Sequence, residues 1–333
     1  MAALALGSFC RTPSEIVLKI ADHMDQPTLQ SLMKANKWFD KLFRSYETSI
    51  CKARIAMLPS PTPAANILTS ATVERRRLCG QNTFQRVEEL ERRAERIDRL
   101  FEEAPKYFRI EAPGWLPPLS GEQHARFTSA LKRALWQCDM IADVAANEPC
   151  KLLPPESYTD ILSGVYSKRP LTFGRQARDP FANVGARPRQ IEYIRSLPLE
   201  DIVGITLLVN MLGFDFARAG EPSAASDPAL FERITVFQEC VLRHGTWFTW
   251  GHVMGEGELH EMAKQMSRAG MHELTEWELG FPGVLQGLKM TLTAHFKELV
   301  AEEGDEVDEY GDIDRDRMQK AVNKVILGTD DDD

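Results

Sequence analysis

Between Pro13 and Phe43 the apolar residues arrive in three short sets at spacings of three and four, each closed by a turn signal, a pattern that only a cluster of short helices satisfies. Pro13 suits a first helical turn, where its missing N–H removes no bond, and Thr12 in front of it is placed to cap with its hydroxyl. Ile16, Val17, Ile20 and Met24 then share one face, with Glu15, Lys19 and Asp22 elsewhere on the surface. Asp25, Gln26 and Pro27 interrupt the pattern before a second set, Leu29, Leu32 and Met33, which Asn36 closes. The third set, Trp38, Phe39, Leu42 and Phe43, is too bulky for one short helix to cover, so three helices are expected to share these side chains. A unit of roughly 45 residues lies near the size at which one core is too small for independent stability. Part of its apolar surface is therefore expected to belong to another polypeptide.

This ordered combination resembles the F-box family, whose pattern is a Leu-Pro opening, an acidic residue two places after the proline, aliphatic positions through three helices and an aromatic near the end. Pro13, Glu15, Ile16, Ile20, Met24, Leu29, Leu32 and the Trp38-Phe39 pair stand at the matching places. The resemblance implies that Pro13, Ile16, Ile20, Leu29, Leu32 and Trp38 bind a Skp-family adaptor, and through it a cullin and RING ubiquitin ligase. One departure stands out: Thr12 occupies the position before the proline, where the family usually has leucine. Losing one buried aliphatic side chain costs about 1.5–3 kcal/mol of contact, unless Phe9 supplies it. Further along, VNMLGFDFARAG and LRHGTWFTWGHVMGEGELHEMAKQM are similar to segments of fungal proteins with an F-box-like N-terminus, a likeness that implies an architecture and no substrate.

The chain has 333 residues, long for one ordinary domain, and its 43% hydrophobic content is enough for a sizeable core. An all-α fold is expected: an F-box-like adaptor-binding unit over 1–57, a Pro-containing linker over 58–80, a larger, irregular helical substrate-binding domain over 81–300, and an acidic, partly disordered tail over 301–333. The prolines of Leu58-Pro59-Ser60-Pro61-Thr62-Pro63 set the first boundary, because they prevent helix continuation. Phe84, Val87, Leu90, Ala94, Ile97 and Phe101 mark a helix over 81–104, and a second is expected over 122–146. Residues 150–190 read as irregular surface with a short helical stretch near Tyr158 to Tyr166. Residues 198–217 are apolar nearly all round, as for a buried central helix. Asp227-Pro228 starts a helix that ends at His244-Gly245, and two more are expected over 257–279 and 284–303. No fixed-period repeat is apparent, so the repeat modules of many F-box proteins are not expected.

From Lys297 to Asp333 there are 14 acidic and 5 basic residues, so this tail holds the whole net charge of −9. With no basic stripe, nucleic acid is not an expected partner; Arg75-Arg76-Arg77 sits beside Glu74 and reads as a solvated face. No apolar run approaches the roughly 18–20 residues that span a bilayer, and the N-terminal Ala-Leu stretch lacks a signal peptide's basic start, so a cytoplasmic or nuclear location without membrane contact is expected. Cysteines at 10, 51, 79, 138, 150 and 240 form no CxxC pair and are expected as free thiols.

Motifs for chemistry are incomplete. His260-Glu261 begins like HExxH, but Lys264 stands where the second zinc ligand belongs. Gly255-Glu256-Gly257 begins a dinucleotide loop without its third glycine, since position 260 is His. Asp312, Asp314 and Asp316 match the first ligands of a calcium loop, but Arg317 replaces its turn glycine and Asn323 its bidentate glutamate. No catalytic residue, cofactor or metal is therefore expected. Trp247, Phe248 and Trp250 are too many aromatics for a single helical face; they either staple several helices or anchor a protein substrate. The competing readings are a helical scaffold acting outside any ligase, and an enzyme using His252 or His260 as base with Glu256 or Glu258 nearby.

Overall fold

The computed structural model describes residues 12–59, 67–68, 78–104, 113–147, 186–219, 230–255, 258–278, 287–301 and 313–329. It is an all-α chain; among the described residues one two-residue antiparallel ladder pairs Ile67 with Cys79 and Leu68 with Leu78. Two compact units divide it, Met1–Glu95 and Arg96–Asp333.

The first unit opens with α1 (Ser14–Asp22), α2 (Gln26–Ala35), α3 (Lys37–Ser45) and α4 (Glu47–Met57). Helix starts are set by short polar side chains: Asp25 accepts the Thr28 N–H at 2.7 Å, and Asn36 Oδ1 accepts the Trp38 N–H at 2.8 Å. The Thr28 hydrogen bonds hold the Asp25 carboxyl below its usual range. At α1 the expected Thr12 cap is not formed; Pro13 occupies the capping position with no side-chain bond. The core gathers Val17, Ala21, Leu29, Phe39, Phe43, Ile50 and Cys51, joined by Phe84 and Val87 from α5 (Phe84–Glu102).

Two corrections follow. A fourth helix, α4, joins the three expected and ends where the unit was expected to end, at Met57. The unit itself runs further, because the start of α5 packs into the same core and polar groups fasten it. Glu47 Oε1 accepts the Phe84 N–H at 2.8 Å, and the buried Arg54 donates to Gln26 Oε1 at 2.7 Å while pairing with Glu91. The 58–80 stretch also contributes buried residues, Ile67 and Cys79, and is more than a spacer.

The second unit takes the end of α5 and is built on α6 (Gly121–Asn147), α8 (Leu199–Ala219) and α9 (Leu230–Val253), which pack on one another. Around them lie α7 (Arg187–Ser196), α10 (Glu258–Glu278) and α11 (Leu288–Val300). The buried central helix expected over 198–217 is α8, with Ile202, Val203, Ile205, Leu208, Val209 and Leu212 all inside. The expected helix end at His244-Gly245 is a kink: Gly245 has φ 62° and ψ −146°, and the helix resumes to Val253.

The tail departs from expectation. Residues 313–329 form α12 (Arg315–Val322) and a π-helical turn (Asn323–Leu327) closed by Gly328 at φ 66°. Met318, Ala321, Val322, Ile326 and Leu327 are buried, and Arg126 donates to the Leu327 carbonyl at 3.2 Å. Counting charge hid this apolar stripe. Residues 150–185, with the helical stretch expected near Tyr158, lie outside the described residues. No single helix among the described residues is long and apolar enough to cross a membrane; α7 with most of α8 passes by length and composition only as a pair bent by 119°.

Candidate functional site

Helix α1 carries the candidate surface, and its register decides what is offered. The sequence pattern put Ile16, Val17, Ile20 and Met24 on one face, but the row that turns inward is Val17 and Ala21, both buried. Ile16 and Ile20, one turn apart, are left 51% and 37% exposed. The exposed Ile16–Ile20 row lies beside the sealed Val17–Ala21 row, so the apolar face of α1 is wider than the core covers. Glu15, Ile16, Lys19, Ile20, His23 and Met24 line a shallow depression here. Lys19 and His23 form its polar rim; both fall at helical spacing from Ile16 and Ile20, the signal by which sequence alone could have found them.

The remaining residues expected at an adaptor contact divide. Pro13 is exposed at the mouth of α1, while Leu32 and Trp38 are half-buried against the core. Trp38 meets Phe39 edge-on at 5.0 Å, and Phe39 stacks on Phe43 at 5.6 Å. Leu29 is a correction: at 0% exposure it belongs to the core between α2 and its neighbours, so it offers no surface to a guest. Its spacing in α2 is compatible with either face, and only the packing of the unit's shared core, where α2 lies against α3, turned it inward.

The aromatics of the second unit are packed rather than displayed. Trp247 and Phe248 are buried, and Trp250 is half-buried with the Arg99 guanidinium 5.1 Å from its ring centre. Phe216 stacks on Phe237 at 4.6 Å, Phe237 tilts against Phe248 at 5.3 Å, and the His252 ring lies 4.8 Å from Phe237. This is the stapling arrangement; Trp247 and Phe248 present no face on which a substrate could sit. Burial pushes His252 down to about 4, with His260 and Lys264 adding to the effect. The ring is neutral at pH 7 and a weak base. His260 Nδ1 lies 3.4 Å from the Gly251 carbonyl. Glu256 and the Glu258 side chain lie outside what is described.

Two buried carboxylates, neither singled out by sequence pattern, organise the second unit. Asp139 of α6 accepts the Thr246 N–H at 2.8 Å and its hydroxyl at 2.7 Å, capping the helix that resumes after Gly245. Glu239 of α9 accepts the Leu288 and Lys289 N–H groups at the start of α11 and pairs with Arg187 at 3.1 Å and Arg243 at 2.9 Å. Burial alone would raise its pKa, but the two arginines and the two N–H groups outweigh burial and hold it at about 2. Both carboxylates are consumed by structural bonds. Asp314 accepts the Asp316 N–H as the cap of α12. Cys51, Cys79, Cys138 and Cys240 are buried thiols outside any disulfide among the described residues, where no group of three or more His, Cys, Asp or Glu side chains is placed to hold a metal.

The fold and the candidate surface define a class no finer than an all-α chain with an apolar strip exposed on its first described helix. Comparison with family models, with curated proteins and with solved structures gave no match.

Proposed function

We propose that the chain is an F-box-type substrate receptor: α1 binds a Skp-family adaptor, the adaptor brings a cullin-based ubiquitin ligase, and the second unit presents a protein substrate. The observation that supports this reading is the exposed Ile16–Ile20 strip beside exposed Pro13. The chain's contribution would be proximity, holding a target lysine near the charged ligase, so it needs no nucleophile of its own. Where the substrate sits is not among the buried aromatics Trp247 and Phe248.

The test is capture of a purified Skp-family adaptor by the full chain, compared with the double variant Ile16→Asp/Ile20→Asp. Both side chains face solvent, so the variant is expected to keep its helical circular dichroism and melting temperature while adaptor binding falls by at least two orders of magnitude. Equal capture by the two proteins would overturn the assignment. In cell extracts, recovery of the adaptor without a cullin would favour the scaffold reading over the ligase.

A further inference from the structure

We propose that Thr12 is a phosphate acceptor for a proline-directed kinase, and that its phosphorylation switches off the α1 face; the second half rests on the adaptor reading above. Three observations converge on this residue. Thr12 is directly followed by Pro13, and Pro13 is extended, with φ −51° and ψ 137°, before α1 begins at Ser14. The Thr-Pro step therefore lies outside the helix, at the bend that precedes it. Thr12 is partly exposed, and its hydroxyl makes no capping bond to α1, so phosphorylation removes no cap.

The third observation concerns the product. Among the described residues no side chain caps α1; the Ile16 and Val17 N–H groups bond the Pro13 carbonyl, and those of Ser14 and Glu15 are the first-turn donors ahead of them. A phosphate on Thr12 Oγ1 adds roughly −1.5 to −2 charge and three acceptor oxygens beside that positive helix end. It stabilises the first turn. It also sets a dianion next to Pro13 and within one helical turn of Ile16, at the edge of the strip an apolar partner would have to desolvate. The step is a simple transfer. Thr12 Oγ1 bonds to the γ-phosphorus of ATP, the bond from that phosphorus to the β–γ bridging oxygen breaks, ADP leaves, and the hydroxyl proton passes to the kinase's base.

The test treats the full chain with ATP and a purified proline-directed kinase, alongside Thr12→Ala. Ser60 and Thr62, also followed by proline, serve as internal comparisons. Fragment-ion mass spectra are expected to place phosphate on Thr12. The phosphorylated chain should melt about 2 °C higher than an equally treated Thr12→Ala chain, and should bind a Skp-family adaptor about tenfold or more weakly than the unmodified chain. Phosphate found at Ser60 or Thr62 but never at Thr12, or Thr12 phosphorylation that leaves adaptor affinity unchanged, overturns the proposal. If the unmodified chain binds no adaptor, the adaptor reading and the switch both fall, while the mass spectra and melting shift still decide whether Thr12 is the acceptor.

Discussion

Asp139 Oδ1 accepts the Thr246 N–H at 2.8 Å, so a side chain on one helix caps the second half of another, more than a hundred residues away in sequence. The kink that makes this possible needs Gly245: a Cβ there would come within 2.1 Å of the same carboxylate oxygen, on a backbone at positive φ. Gly245→Ala is therefore expected to destabilise the second unit by about 3 kcal/mol or more. Asp139→Ala leaves the buried Thr246 N–H unpaired, at about 1–3 kcal/mol. Urea unfolding followed by Trp fluorescence measures both, and wild-type midpoints would refute the account.

His252 gives the second unit an acid-sensitive element. Its folded-state pKa is about 4 against an ordinary 6.5, so between these values the unfolded chain holds more protons and stability falls as pH drops. From pH 7 to pH 5 the loss from this ring is about 1–2 kcal/mol. His252→Phe, placed among Phe216, Phe237 and Phe248, is expected to remove that slope. Urea midpoints at the two pH values, compared between the variant and the wild type, provide the check.

Glu239 acts in the same direction but in a lower pH window. Its carboxyl is held at about 2, so its contribution is complete above the ordinary carboxylate range and is lost progressively as pH falls from that range to 2. Acid loss near pH 5 therefore does not come from this group. Glu239→Gln removes the carboxylate that the buried Arg187 and the largely buried Arg243 share and is expected to cost about 3–5 kcal/mol at pH 7, measured by thermal and urea unfolding.

At the amino terminus, Leu29→Ala and Thr12→Leu should separate core from surface. Leu29 is fully buried, so its truncation is expected to cost about 2–5 kcal/mol of stability. Thr12→Leu is expected to leave the melting temperature nearly unchanged and to tighten adaptor binding by about tenfold, because it restores an aliphatic contact beside Pro13. Calorimetric titration with the adaptor reads the second effect, and unchanged affinity would place residue 12 outside the contact.

The carboxyl-terminal segment is expected to be structural. Val322 is fully buried in the unit formed with α6 and α8, so Val322→Asp should lower stability by about 3 kcal/mol or more, an effect absent for the exposed Asp316→Asn. Differential scanning calorimetry of the two variants distinguishes a docked segment from a solvated one.

What the sequence by itself determined was the helical content and the placement of most helices, because spacing at three and four, proline starts and Asp or Asn caps act within a few residues of the chain. The α8 run from Leu199, the α5 stripe from Phe84 and the α4 end at Met57 all follow from such local signals. Tertiary structure alone decided which faces stayed outside. Val17 and Ile16 are neighbours of similar chemistry, yet one is sealed and the other exposed, because the partners of α1 lie in α2 to α5 and no local pattern encodes their angle of approach. The same holds for Asp139, Glu239 and the docked α12: their partners are distant in sequence, and a buried carboxylate looks like a surface one until the helices around it are packed.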